Sequence, residues 1–166
     1  MSANAETIGN GMLGAESGKH PKGLYVLFAT EMWERFSFYS MLALFTLYLR
    51  DSTEGFGWTA AEATALYSNY LAFVYASPLI GGLIADKITG YRKAVMIGGF
   101  FFMAGHGLLS ISALWAVYLA LTCLVIGNGF FKPNVSTMVG NLYPEGSHLK
   151  DRAYNIFYMG INVGAF

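Results

Sequence analysis

Apolar residues in this sequence come in blocks about as long as an α-helix that crosses a lipid bilayer. Such a helix needs about 20 mostly apolar residues, because it rises about 1.5 Å per residue through roughly 30 Å of hydrocarbon. Only 12% of the 166 residues are charged, against about 25% in an average soluble domain. The pattern predicts an all-α membrane protein that contacts the lipid bilayer. No basic patch suggests a nucleic-acid partner.

Five such blocks divide the chain. Residues 1–23 precede them and are rich in small and polar residues, without the apolar core of a signal peptide, so we expect a flexible tail there. The last block is shorter than a span requires. We therefore expect residues 24–166 to form an incomplete transmembrane bundle whose chain ends inside a helix. The predicted spans are about 24–49, 63–85, 94–112, 114–140 and 153–166.

Basic residues outside the spans predict the orientation. With the tail inside, the inside segments hold seven Lys and Arg residues, and the outside segments hold Arg50 alone. Cytoplasmic loops carry the excess of such residues, so we expect a multi-pass protein with a cytoplasmic N-terminus. The seven inside residues are Lys19, Lys22, Lys87, Arg92, Lys93, Lys150 and Arg152.

Four ionisable residues fall inside the spans: Glu31, Glu34, Arg35 and Lys132. Each unpaired charge at the bilayer centre costs about 2.5–3.5 kcal/mol, so such groups pair or line a water-filled cavity. Glu34 and Arg35 follow Glu31 by three and four residues, a spacing that places all three on one helical face. The four formal charges sum to zero, and Lys132 on the fourth span can cancel the excess negative charge of the first.

Helical rise predicts that other polar residues lie near the same depth. Tyr39 extends the stripe of Arg35, while Lys132, Tyr75 and Asn162 all fall roughly 15 Å from the inner surface. Secondary transporters place substrate and ion sites near the midplane of the bilayer. The alternative is that the charges form a structural ion pair between helices and that the tyrosines only fill space.

The segment GGLIADKITGYRK joins the second and third spans. Gly82, one turn before Asp86, is small enough for close helix approach. Asp86 can bond neighbouring backbone or Arg92, which would tie two helices at the inner face. The spacing of Gly82, Asp86, Gly90 and Arg92 resembles the cytoplasmic loop motif of major facilitator transporters, and the alternative is an ordinary basic loop.

Three further residues in the predicted spans are candidates for a functional role. Pro133 removes a backbone hydrogen bond next to Lys132, and we expect a kink that turns freed carbonyls toward a cavity. His106 has no acidic partner at helical spacing, so a structural role is favoured. A lone Cys123 excludes an internal disulfide and a cysteine metal cluster. We expect no metal, no cofactor and no enzymatic activity, because no nucleophile–base set is present.

Taken together, the motifs resemble the proton-dependent oligopeptide transporter (POT/PTR) family of the major facilitator superfamily. EMWERFSFY is similar to that family's ExxERFxxY motif, and FYMGINVG to its FYxxINxG motif. Lys132 in GFFKPN resembles the lysine of the family's fourth helix. The likeness extends over about residues 23–166.

This resemblance implies a proton-coupled symporter that imports di- and tripeptides, in bacteria across the inner membrane. The chain would supply about five helices of an N-terminal six-helix bundle, and a C-terminal bundle would be its partner. Protons would be the coupling ion, with no cofactor. The resemblance implies proton coupling by Glu31, Glu34, Arg35 and Lys132, and substrate binding by Arg35, Lys132, Tyr39, Tyr75 and Asn162.

Two positions depart from the family pattern. Ser68 stands where animal members carry a histidine, and Leu42 where many bacterial members have a second arginine. Two alternatives stay open. The first is a major facilitator transporter of another small substrate, such as nitrate or a glycoside. The second is a non-transporting, truncated membrane subunit in which the charges hold an assembly together.

Overall fold

The computed structural model describes residues 18–166, and within this range the chain forms five α-helices and no strand. The predicted all-α class is therefore confirmed. The first 17 residues of the predicted tail lie outside the described residues. The helices are α1 (Lys22–Arg50), α2 (Ala60–Ile84), α3 (Tyr91–Leu109), α4 (Leu114–Gly140) and α5 (Leu149–Ala165), and a π-helical turn, Ala85–Thr89, follows α2.

Among residues 18–166, two stretches of helix are long and apolar enough to cross a membrane, by length and composition. They are α2 with its π-helical turn, Ala60–Thr89, and α4. Helix α1 has 29 residues but carries four charged residues in its first half, Lys22, Glu31, Glu34 and Arg35. Helices α3 and α5 are shorter, with 19 and 17 residues. Membrane crossing by α1, α3 and α5 stays a prediction.

Helices α2 and α5 begin earlier than the apolar blocks indicated, because polar residues make hydrogen bonds at their first turns. The N–H of Thr59 donates to Glu62 Oε2 at 2.9 Å, and the N–H of Glu62 donates to Thr59 Oγ1 at 3.3 Å. This capping box starts α2 at Ala60 rather than at residue 63. Helix α5 starts at Leu149 rather than at residue 153, and the N–H of Leu149 donates to Ser147 Oγ.

Helix α3 is displaced by three residues from its predicted bounds, 94–112. Gly90 ends the π-helical turn with a φ of 73°, in the left-handed region that glycine adopts without steric cost. The helix therefore begins at Tyr91. It ends at Leu109, where the Ser110 hydroxyl donates to the carbonyl of Gly107 at 2.7 Å and satisfies one of the last helical acceptors.

The chain divides into two compact units. The first comprises Met1–Met41, of which residues 18–41 are described, together with Val135–Phe166. It holds the first part of α1, the last turns of α4 and all of α5. The second unit is Leu42–Asn134, which holds α2, α3 and the larger part of α4.

Glycines set the spacing of the helices in the second unit. A Cβ on Gly81 of α2 would overlap the carbonyl of Gly129 in α4, and one on Gly98 of α3 would lie 2.8 Å from the carbonyl oxygen of Gly127. Gly82 was the predicted point of close approach, but a Cβ there would make an ordinary 3.7 Å contact with Pro133. The close contact falls one residue earlier because Gly81 is the residue that faces the α4 backbone.

We predict that Gly81→Ala destabilises the protein by about 1–3 kcal/mol, the usual cost of overpacking a close-packed contact. Gly99→Ala is the matched control, since nothing lies within 4 Å of a Cβ placed there. That control should gain up to about 1 kcal/mol from the higher helix propensity of alanine. Thermal unfolding of the two variants in detergent measures the difference, and equal melting temperatures would contradict the close α2–α4 contact.

Candidate functional site

An ion cluster lies on α1 in the first unit. Arg35 Nε donates to Glu34 Oε2 and lies 3.3 Å from Glu31 Oε1. All three residues are buried: Glu31 is 3% exposed, Glu34 is 9% exposed and Arg35 is 5% exposed. The spacing predicted one shared helical face, and the structure places the three side chains together. One guanidinium therefore serves two carboxylates away from water.

Two glycines of α5 bring that helix against the α1 segment that carries the cluster. A Cβ on Gly164 would overlap the carbonyl of Met32 and lie 3.0 Å from Arg35 Cβ, and one on Gly160 would lie 2.8 Å from the Phe28 ring. The two glycines are four residues apart, the small-xxx-small spacing of closely packed membrane helices. Sequence reasoning assigned Gly164 to a family motif but missed this packing role for the pair.

Arg35 retains hydrogen-bonding capacity beyond the two carboxylates. Within residues 18–166 its Nη2 is buried and has no hydrogen-bond partner. The guanidinium carbon also lies 5.2 Å from the centroid of the Phe38 ring, a favourable cation–π distance. A buried donor without a partner costs about 1–3 kcal/mol or more. It is therefore a place where an anionic ligand would bind favourably.

Two predicted substrate-binding residues of the first unit, Tyr39 and Asn162, make different contacts. Tyr39 is partly exposed, and its ring packs edge-on against Phe38 at 5.3 Å. Asn162 is exposed, and its Nδ2 donates to the carbonyl of Tyr158 at 3.0 Å, within α5. Both residues present side-chain atoms at the surface of the unit, and their assignment to a substrate site stays a prediction.

The second unit brings Lys132 and Tyr75 together. Lys132 Nζ lies 5.6 Å from the centroid of the Tyr75 ring, the geometry of a cation–π contact. Tyr75 is 70% exposed, so this pair can be reached by a solute. The helical rise predicted that Lys132 and Tyr75 lie at one depth in the membrane, but it did not predict the contact between them. Cancellation of the α1 charge by Lys132 stays a prediction.

Asp86 has a partner that the sequence did not indicate. Its carboxylate accepts a hydrogen bond from the Tyr91 hydroxyl, whereas Arg92 or backbone was expected. The tyrosine is available because the turn at Gly90 brings the first residue of α3 back toward the end of α2. Arg92 makes interactions of its own, and the inner-face role of Gly82, Asp86, Gly90 and Arg92 stays a prediction.

The remaining candidates are His106 and Cys123. His106 Nδ1 donates to the carbonyl of Phe102, one turn earlier in α3, at 2.9 Å, which supports the structural interpretation. Cys123 is partly buried in α4. Within residues 18–166, no group of three His, Cys, Asp or Glu side chains is placed to hold a metal ion.

Buried ionisable residues in a bundle of long helices, such as those of the ion cluster on α1, are typical of membrane transporters, and comparison with known proteins agrees. The model of the POT family matches residues 92–166. An uncharacterized transporter, YclF of Bacillus subtilis (strain 168), is 43% identical over 148 residues, which cover 87% of this chain and 30% of that protein. A di-/tripeptide transporter of Lactococcus lactis subsp. lactis (strain IL1403) is 41% identical over 150 residues, with the same shares.

Solved structures give the same result. The crystal structure of a peptide transporter POT in complex with sulfate superimposes with a TM-score of 0.86 at 45% identity, covering 89% of this chain and 30% of that one. A POT family transporter in complex with 5-aminolevulinic acid gives 0.85 at 41% identity, covering 87% and 30%. The chain belongs to the POT family. It spans about 30% of the length of the relatives it matches.

We predict that Arg35→Gln destabilises the protein by about 3–5 kcal/mol, because it leaves buried carboxylates without their cation. Arg35→Gln/Glu34→Gln should recover part of this loss, since one carboxylate is then neutral. Arg50→Gln is the control at the exposed end of the same helix, where the loss should stay below about 1 kcal/mol. Thermal unfolding in detergent gives the comparison. Equal losses for the two arginine variants would contradict a buried cluster.

Proposed function

We propose that this chain acts in proton-coupled import of di- and tripeptides, as part of a secondary active symporter. The observation that carries the proposal is the Arg35 guanidinium, which two buried carboxylates hold and which keeps one buried donor, Nη2, for another acceptor. A peptide's carboxylate is such an acceptor. The relatives named as di-/tripeptide transporters support this substrate class.

The cluster can couple protons to peptide binding through its charge. With Glu31 and Glu34 both ionised, the three residues carry a net charge of −1, which opposes the approach of another carboxylate. Adding a proton to one glutamate makes the cluster neutral and weakens that glutamate's hold on Arg35. Arg35 can then bind the peptide carboxylate more tightly. A proton and a peptide thus favour the same state, which is the requirement for symport.

We assign the remaining residues by the chemistry they present. We assign Lys132 to proton coupling together with Glu31, Glu34 and Arg35, because it is the other basic residue inside the predicted spans. Lys132 and Arg35 suit the peptide carboxylate. The partly or fully exposed side chains of Tyr39, Tyr75 and Asn162 offer hydrogen bonds and ring faces to the rest of the peptide.

The surface supports a membrane location. Large apolar side chains on several helices are mostly exposed, among them Leu79, Met96 and Met103, as expected for groups that contact lipid. We propose a multi-pass protein of the bacterial inner membrane with its N-terminus in the cytoplasm, following the bias of basic residues. A second helical bundle would be the partner of this one, and no cofactor or enzymatic activity is part of the proposal.

A second substrate class follows from one of the solved relatives. A POT family transporter has been crystallised with 5-aminolevulinic acid, which carries a carboxylate and an amine but no peptide bond. Arg35 could bind that carboxylate in the same way. Competition of this compound with a dipeptide for uptake would separate a peptide-selective transporter from one that accepts small amino acids in general.

We expect Glu34→Gln to reduce proton-driven dipeptide uptake into proteoliposomes by roughly tenfold or more, since couplings between two ligands usually correspond to 5–150-fold effects. Dipeptide counterflow, which needs no net proton movement, should be partly retained. The whole protein is reconstituted, with and without an inward proton gradient. Glu54→Gln, an exposed loop residue, serves as the matched control and should behave like wild type.

Two results would contradict the proposal. Dipeptide uptake by the wild-type protein that does not depend on the gradient, or no uptake, would exclude proton-coupled peptide import. Equal loss of uptake and counterflow in Glu34→Gln would instead mean that Glu34 serves folding rather than coupling.

A further inference from the structure

A proline in α2 removes the donor that the carbonyl of Val74 would otherwise receive. Pro78 lies four residues after Val74 and has no N–H. Asn128 of α4 supplies a replacement: its Nδ2 donates to the Val74 oxygen at 2.7 Å. Ser77 Oγ donates to the same oxygen at 3.2 Å from within α2. The bond from Asn128 is thus a side-chain link between two helices at a site created by proline.

The opposite helix has a matching arrangement. Pro133 of α4 removes the helical donor for the carbonyl of Gly129, and this carbonyl lies against Gly81 of α2. A kink turning freed carbonyls toward a cavity was expected here, but the Gly129 carbonyl faces the neighbouring backbone. Glycine meets glycine at this point, so the pair Gly81–Gly129 itself has no side chains that interlock. Side-chain interlocking at that contact therefore cannot fix the axial position of one helix along the other.

Asn128 is suited to fix that position. Its side chain is 1% exposed, and within the described part of the chain its Oδ1 has no hydrogen-bond partner. Because a carbonyl oxygen can only accept, the amide group must point its Nδ2 toward Val74. Burying an amide oxygen without a partner is costly, so hydrophobic packing does not favour asparagine here.

The link lies one helical turn from the Lys132–Tyr75 contact. Asn128 and Lys132 are four residues apart on α4 and therefore share a face, and Val74 directly precedes Tyr75 on α2. Sliding α4 along α2 by one residue would move Lys132 by about 1.5 Å relative to the Tyr75 ring. The contact of 5.6 Å therefore depends on the axial position that Asn128 holds.

We propose that Asn128 is a positioning residue: through the Val74 carbonyl it sets the axial position of α4 on α2, and so holds Lys132 over Tyr75 for peptide binding. This inference rests on the proposed function. Ser77 continues to donate to the Val74 carbonyl when Asn128 is lost. Removal of Asn128 should therefore lower the melting temperature by a small but measurable amount while it releases the axial position of the helix.

The test compares Asn128→Ala with Asn134→Ala in the whole protein. Asn134 is a matched control, because it is equally buried at 1% exposure but donates to the Phe130 carbonyl within its own helix. Binding of dialanine is measured by calorimetry and stability by thermal unfolding. We expect dialanine to bind Asn128→Ala roughly three- to thirtyfold more weakly, the range of a lost cation–π contact. Asn134→Ala should change binding by less than about twofold.

Each substitution is repeated in a Pro78→Ala background, where residue 78 regains an N–H for the Val74 carbonyl. There, Asn128→Ala should no longer lower the melting temperature, but it should still weaken dialanine binding. A purely stabilising role predicts instead that both effects vanish together, and that result would overturn the proposal. So would equal binding losses for the two asparagine variants.

The outcomes also separate this inference from the proposed function. If wild-type protein binds no dialanine, peptide transport is refuted and the positioning role falls with it. The melting temperatures of the four proteins in the Asn128–Pro78 cycle would still show whether the α2–α4 link exists. If wild type binds dialanine and Asn128→Ala binds it equally well, only the positioning role is refuted.

Discussion

The contact on which the candidate site depends is the one between the Arg35 guanidinium and the carboxylates of Glu31 and Glu34. In a low-dielectric environment two neighbouring carboxylates repel strongly, and the attraction of both to a guanidinium between them outweighs that repulsion. The glycines of α5 are needed because a Cβ at either position would collide with the α1 segment that carries this cluster. Buried charge and close helix packing are therefore parts of one arrangement in the first unit.

The second unit addresses a related problem with uncharged groups. Each of its two long helices contains a proline, and each proline leaves a carbonyl without its helical donor. Lipid cannot donate hydrogen bonds, so such carbonyls must be satisfied or covered by protein. Asn128 donates to one of them, and the other is covered by a glycine backbone. Prolines and glycines that would weaken helices in water serve here to join them.

Helix number and class could be predicted from the sequence, because apolar blocks about 20 residues long have few alternatives. Helix ends were less predictable, since Thr59 and Ser147 begin α2 and α5 through hydrogen bonds that hydropathy does not register. The spacing of Glu31, Glu34 and Arg35 was sufficient to place them together, because an α-helix fixes that geometry. Contacts between helices were not accessible in the same way. Such contacts depend on how the helices are rotated against each other, which cannot be read from a single sequence. Examples are the close approach at Gly81 rather than Gly82, the bond from Tyr91 to Asp86, and the bond from Asn128 to the Val74 carbonyl.

The length of α1 has a consequence for how the protein is positioned in the membrane. Its 29 residues extend about 43 Å, whereas the hydrocarbon layer is roughly 30 Å thick. An upright α1 centred in the layer would project about 7 Å into the headgroups on each side. It begins and ends with basic residues, Lys22 and Arg50. Long cationic side chains anchor helix ends at the headgroup level. In a thinner membrane α1 can tilt while Lys22 and Arg50 both remain at the headgroup level. The Arg35 cluster then stays well inside the hydrocarbon layer.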